Sequence, residues 1–160
     1  MTDLTQLIIA IILTILPIFE LRAGLPIAID YALKSGISVS LIFLLIIIVN
    51  VLTIFFIFFF LDYLHGHFMK IKHYRKVFAY FLRRVRNKVD RVERKMGAYQ
   101  FLALALFVAI PLPGTGAWTG CLISWVLGMK RKQSIASISL GVLIAGIIIL
   151  ALSLGFFSLV

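Results

Sequence analysis

Leu16-Pro17-Ile18-Phe19-Glu20-Leu21-Arg22-Ala23-Gly24-Leu25-Pro26 interrupts the first apolar stretch of the chain. Ile110-Pro111-Leu112-Pro113-Gly114-Thr115-Gly116-Ala117-Trp118-Thr119-Gly120 interrupts a later one. Each break sets proline, glycine and polar residues between two short apolar pieces. Leu4 to Phe19 would make a helix of about 24 Å, against a hydrocarbon core of about 30 Å. Residues 21–33, 101–110 and 117–129 are shorter still. A long run without charge follows each broken pair, Ile37 to Leu61 in the first half and Ser134 to Val160 in the second. Two membrane segments broken in the same way, one per half, predict a site where the breaks meet.

The surrounding composition is that of an integral membrane protein. Of 160 residues, 62% are hydrophobic, and the mean hydropathy is +1.12. Soluble domains stay well below this apolar content. In lipid every backbone polar group must be satisfied internally, so the expected fold is all-α. The expected organisation is one membrane domain, 1–160, built as an inverted repeat. Each repeat is a re-entrant helical hairpin plus a transmembrane helix, repeat 1 at 4–61 and repeat 2 at 99–160. A basic amphipathic helix at 67–96 joins them. Laying Pro17 on Pro111 without gaps also places Ala23 on Ala117, Ile29 on Ile123 and Leu33 on Leu127. Met1-Thr2-Asp3 has no basic region, and no small-residue cleavage site follows, so no removable signal peptide is expected. The lone Cys121 reads as a small buried apolar residue.

Charge orients the chain. The net charge is +10. Eleven Lys and Arg lie between Lys70 and Lys95, and Lys130-Arg131-Lys132 adds three. In so hydrophobic a chain this pattern follows the positive-inside rule rather than nucleic acid binding. Both patches are expected on the cytoplasmic side of a prokaryotic cell membrane, with 62–98 and 130–132 inside. Re-entrant hairpins meet that condition. One crossing over 99–129 would strand Lys130-Arg131-Lys132 on the opposite side. Four full crossings keep both patches inside but need longer segments.

Phe78, Phe81, Leu82, Val85, Val89, Val92 and Met96 recur at steps of three and four, which makes an amphipathic helix. Gly97 suits its C-cap. Its cations over 70–95 suit anionic lipid headgroups on the inner leaflet. Ser137, Gly141 and Ala145 form a ridge of small residues on the last span. The ridge serves packing inside one protomer or a homodimer.

Glu20 and Arg22 are the charges hardest to explain by packing, because an isolated charge in the membrane is costly and marks a partner or a watery cavity. They either close the turn as a mutual ion pair, or Glu20 titrates while Arg22 holds an anion. Pro17 and Pro26 are expected to break the helix on either side and to free backbone groups. Pro113, Gly114, Thr115 and Gly116 carry no charge. Their glycines let backbone N–H groups turn toward a ligand, and a helix beginning near Ala117 points its positive end at the turn. Asn50 and Thr53, inside the first span, can hydrogen-bond to a hairpin. Asp30 and Lys34 are spaced for a surface pair. His65, His67 and His73 lack an acid or Cys to complete a metal set, so no metal site is expected. No nucleophile–base arrangement or nucleotide loop is present, so neither catalysis nor a cofactor is expected.

Glu20 to Pro26 and Pro111 to Gly120 together resemble the signatures of the small multidrug export proteins, a prokaryotic membrane family. That family is in turn distantly similar to the DedA/VTT proteins, which carry facing re-entrant loops and are implicated in moving lipid phosphates and in proton-dependent drug tolerance. The resemblance implies transport. The turn at Pro113 to Gly116 departs from the DedA pattern by having neither an acid nor an arginine. The reading is a small secondary transporter, proton-coupled, moving an amphiphilic lipid phosphate or drug-like molecule through a site formed by Glu20, Arg22, Pro26, Asn50, Pro113, Gly114, Thr115 and Gly116. The alternative is a non-transporting scaffold or assembly factor that binds anionic lipids and partner proteins through the basic helix and the small-residue ridge.

Overall fold

The computed structural model describes residues 4–68, 93–112 and 114–157. Among them the chain is all-helical, with six helices and no strand. They are α1 (Leu4–Ile15), α2 (Glu20–Ser35), α3 (Val39–Phe68), α4 (Glu93–Ala109), α5 (Ala117–Val126) and α6 (Arg131–Phe157). Two are long and apolar enough to cross a membrane: α3 over Val39–Leu64 and α6. The 12 residues of α1 and the 10 of α5 give about 18 and 15 Å, well short of a crossing.

Large apolar side chains face outward on every helix, including Ile12, Phe55, Phe59, Leu106, Leu122 and Leu152. A surface this apolar, carried on helices that satisfy their own backbone, belongs in a bilayer. The interior is built from Leu25, Ile29, Ile46, Ile54, Ile138 and Val142.

α1 packs on α2, and α2 packs on both spans. In the second half α4 lies along α6 more than along its sequence partner α5. The halves share the order of elements but not this packing. The small-residue ridge accounts for the close contact of α4 with α6. The Ser137 hydroxyl donates to the Phe101 carbonyl at 2.5 Å, and Gly141 lies against Ala105 and Val108. Packing inside the protomer therefore uses this ridge.

Several boundaries differ from expectation. α3 continues past Leu61 to Phe68, carrying Asp62 and His67 beyond the apolar run. α4 begins at Glu93, and Gly97 lies inside it rather than capping a helix before it. Most of the expected amphipathic stripe, residues 69–92, lies outside the described residues. Pro26 does not break α2 but sits inside it. Its missing N–H leaves the Arg22 carbonyl without the usual helical donor four residues on. α2 ends instead at Gly36, in the left-handed region with φ 68°, whose N–H returns to the Ala32 carbonyl.

The far ends of the spans are tied together. Arg131, at the start of α6, reaches the Asp62 carboxylate at 2.6 Å, and its guanidinium lies 4.1 Å from the Phe58 ring centre. The Trp125 indole N–H donates to the same carboxylate at 3.0 Å. Asp62 and Arg131 thus join the two spans at this end of the bundle.

Candidate functional site

The two breaks meet. Glu20 opens α2 after the turn through Pro17, and it is the one non-glycine with positive φ among the described residues, at 47°. A left-handed backbone costs a non-glycine residue about 1–2 kcal/mol, and such outliers concentrate at functional sites. The conformation sends the Glu20 side chain across to the second half. There its carboxylate accepts the backbone N–H groups of Ala117 and Trp118, each at 3.0 Å.

These N–H groups begin α5, whose N-cap position is Gly116. Gly116 offers no capping side chain, and its chain neighbours supply none. Glu20 provides the cap from 97 residues away. A carboxylate at a helix N-terminus gains from both the unsatisfied N–H groups and the dipole, which offsets the desolvation of a side chain only 5% exposed.

Arg22, two residues along, also crosses to the second half. Its guanidinium donates to the Thr115 hydroxyl at 2.7 Å and reaches the Ile110 carbonyl at 3.4 Å. The Thr115 hydroxyl lies within reach of the Ile110 and Leu112 carbonyls, at 2.6 and 2.8 Å, and so braces the turn. Gly114 takes φ 83° there and is exposed. Among the described residues no carboxylate pairs directly with Arg22. Glu20 and Arg22 do not close the turn as a mutual ion pair; each reaches a different part of the second half.

The backbone N–H groups at the start of α5 hold an anion that is part of the chain, the Glu20 carboxylate. A β-carbon on Gly116 would coincide with the Glu20 carboxylate. Gly116 is therefore required by the close approach of a side chain from the first half.

Asn50 is 1% exposed, and its Nδ2 points to the Thr14 carbonyl at 3.5 Å, a long contact to α1. Thr53 does not reach a helical pair, because its hydroxyl donates to the Val49 carbonyl in its own helix. Pro26 lines an open groove of about 420 Å³ with Arg22, Pro111, Leu152 and Phe156. Pro113 lies outside the described residues. Asp30 pairs with Lys34 at 2.5 Å and accepts from Gln6 of α1 at 2.7 Å, at the end of α2 away from the site.

Sequence reading missed Trp118 and Thr14. The Trp118 indole donates to the Ile15 carbonyl at 3.0 Å, a further bond between the breaks. An indole N–H in apolar surroundings needs an acceptor, and that was the available signal. Thr14 contributes a backbone carbonyl, for which the side chain gives no clue.

The depth of the junction follows from the spans. Asn50 is the twelfth of 26 residues in the apolar part of α3. Val142 and Ala145, which border Glu20 and Asn50 in one cavity, are the twelfth and fifteenth of the 27 residues of α6. Both spans pass the site near their midpoints.

Strained backbone, a buried acid, a helix N-terminus capped from the other half and a guanidinium thus converge at mid-depth in a small membrane protein. Residues 20–148 match the family described as Putative small multi-drug export protein. The chain belongs to this family. The match begins at Glu20 itself and takes in the rest of the first break, the whole of the second, the first span and most of the second span. No curated protein and no solved structure matches the chain. The family description is that of an exporter rather than an enzyme.

Proposed function

We propose that this small multidrug export family member is a proton-coupled secondary transporter, moving an amphiphile with an anionic head and an apolar tail. Its helical pairs are read as re-entrant hairpins entering from opposite faces, with the basic segments 62–98 and 130–132 in the cytoplasm. The observation that carries the reading is the bond from Glu20 to the start of α5, set beside Arg22 at the mouth of an apolar groove.

The groove runs between α2, the turn after α4 and the end of α6. Its walls, Ile149, Leu152, Phe156 and Phe157, are apolar, and Arg22 is its cation. A lipid phosphate such as a polyprenyl phosphate matches that division, with its head on the guanidinium and its tail along the wall. A lipophilic cation would have to approach Arg22, which opposes it.

The same geometry supplies a coupling cycle. Glu20 as a carboxylate holds the α5 N-terminus closed. A protonated Glu20 is a poorer partner for two N–H donors. Its departure leaves Ala117 N–H, Trp118 N–H and Arg22 free to hold the head of the substrate. Loss of the proton returns Glu20 to the helix and expels the head. Substrate and the Glu20 carboxylate thus compete for one set of donors, so a proton and an anion bind and leave together.

Reconstitution tests this reading. Polyprenyl phosphate translocation and lipophilic cation efflux are compared in liposomes, with and without a pH gradient. Translocation that follows the gradient and is lost in Glu20→Gln and Arg22→Ala supports the proposal. Full activity of both folded variants removes it. Activity that instead depends on the charges along 70–95 favours the scaffold alternative.

A further inference from the structure

We propose that one water molecule sits between Glu20 and Asn50 and donates a hydrogen bond to each, making Asn50 the residue that positions a proton-transfer partner for Glu20. The two side chains come from different elements, α2 and α3, and border one small cavity with Leu21, Arg22, Gly116 and Val142. Its volume is about 10 Å³, which is about the room one water needs.

The chemistry of the walls selects the occupant. Asn50 Nδ2 lies 3.5 Å from the Thr14 carbonyl, and its Oδ1 is the acceptor left to be satisfied. No donor among the described residues meets that oxygen, although the residue is 1% exposed. An unmet buried acceptor is rare, and an internal water is the ordinary way to satisfy one. The Glu20 oxygens each accept one backbone N–H. A carboxylate has about four acceptor positions, so further capacity remains. Two acceptors facing one small cavity require two donated protons, and a single water carries two.

Other occupants fit less well. An anion would face the Glu20 carboxylate and Asn50 Oδ1. A cation would face Arg22 and the positive end of α5. A neutral molecule with two donors suits both sets of walls. Backbone N–H groups hold the Glu20 carboxylate but cannot take its proton, whereas a water can. The role in coupling rests on the transport reading above; the water itself does not.

The test is solid-state NMR of water-to-protein proton transfer, on the full chain in phosphatidylethanolamine and phosphatidylglycerol liposomes. The chain has two asparagines, Asn50 and Asn87, and two glutamates, Glu20 and Glu93. Residue-specific labelling therefore needs only Asn87→Ser and Glu93→Gln for assignment. Transfer from water to the Asn50 carboxamide and the Glu20 carboxyl is expected. In Asn50→Leu the build-up at Glu20 should slow about fivefold as the bridging partner is lost. Absence of transfer to Asn50 in the otherwise native chain overturns the proposal. Unchanged build-up at Glu20 in folded Asn50→Leu overturns it as well. A change in the Asn50 signal when sodium replaces choline assigns the site to a cation instead and also overturns it. If Asn50→Leu fails to fold, Asn50→Thr gives the same comparison. Water transfer without any gradient-driven transport keeps this site and removes only the transport reading.

Discussion

The Glu20 carboxylate occupies the space that a β-carbon on Gly116 would fill. The two residues lie in different halves of the chain, so a side chain from one break has become the cap of the helix that follows the other. This contact gives the junction its polarity: the charge comes from the first half and the backbone donors from the second.

Gly116→Ala should therefore act through Glu20. The added methyl group forces the carboxylate off the Ala117 and Trp118 N–H groups, with a loss of about 2–3 kcal/mol in stability. In a Glu20→Ala background the same methyl group meets open space. A double-mutant cycle read from thermal unfolding in detergent should show coupling of about 1–3 kcal/mol. Additive effects would mean that the two residues do not touch in the folded protein.

Glu20→Gln keeps the shape and one strong acceptor but loses the charge facing the α5 dipole. Stability should fall by about 1–2 kcal/mol. Transport driven by a pH gradient should disappear, while substrate binding in the absence of a gradient persists. Isothermal titration and liposome flux separate these two effects.

Arg22→Lys should not substitute for arginine. A lysine ammonium can reach the Thr115 hydroxyl but cannot present a planar fork to a phosphate at the same time. Affinity for an anionic amphiphile should fall about tenfold in Arg22→Lys, and further in Arg22→Ala. Thr115→Val removes the hydroxyl that holds the guanidinium and should weaken binding by a smaller factor. Equal affinity in Arg22→Lys and the native chain would exclude a forked contact.

Asp62→Asn should change little. The Asp62–Arg131 pair is exposed, with side chains 54% and 40% accessible, and such pairs contribute about 0–1 kcal/mol. Unfolding temperature and flux should both stay near native values. A large loss of flux would give this end of the bundle a gating role.

Topology is open to cysteine labelling in a Cys121→Ser background. Tyr63→Cys and Lys132→Cys should react with an impermeant reagent from the same side, since α3 and α6 meet there through Asp62 and Arg131. Lys34→Cys, at the other end of α2, should react from the opposite side. Labelling of positions 63 and 132 from different sides would rule out the arrangement.

The sequence by itself determined that the chain is helical and membrane-embedded, that two long apolar spans separate two broken segments, and which family it belongs to. Apolar run length, proline and glycine placement and charge distribution carry that information locally, and each can be read without knowing what lies nearby. It also singled out Glu20 and Arg22, because a charge in an apolar stretch is conspicuous wherever it points. Only the tertiary structure decided their partners. Nothing in Gly116 announces that a glutamate 96 positions earlier fills its missing side chain. Nothing in Thr14 announces that its carbonyl meets Asn50. Capping is usually local, so a helix capped from the other half of the chain leaves only a vacancy in the sequence. The same holds for Pro26, which local rules make a helix breaker but which packing between the two spans keeps inside α2. Contacts between distant segments depend on how whole helices pack, and that information exists only once the chain has folded.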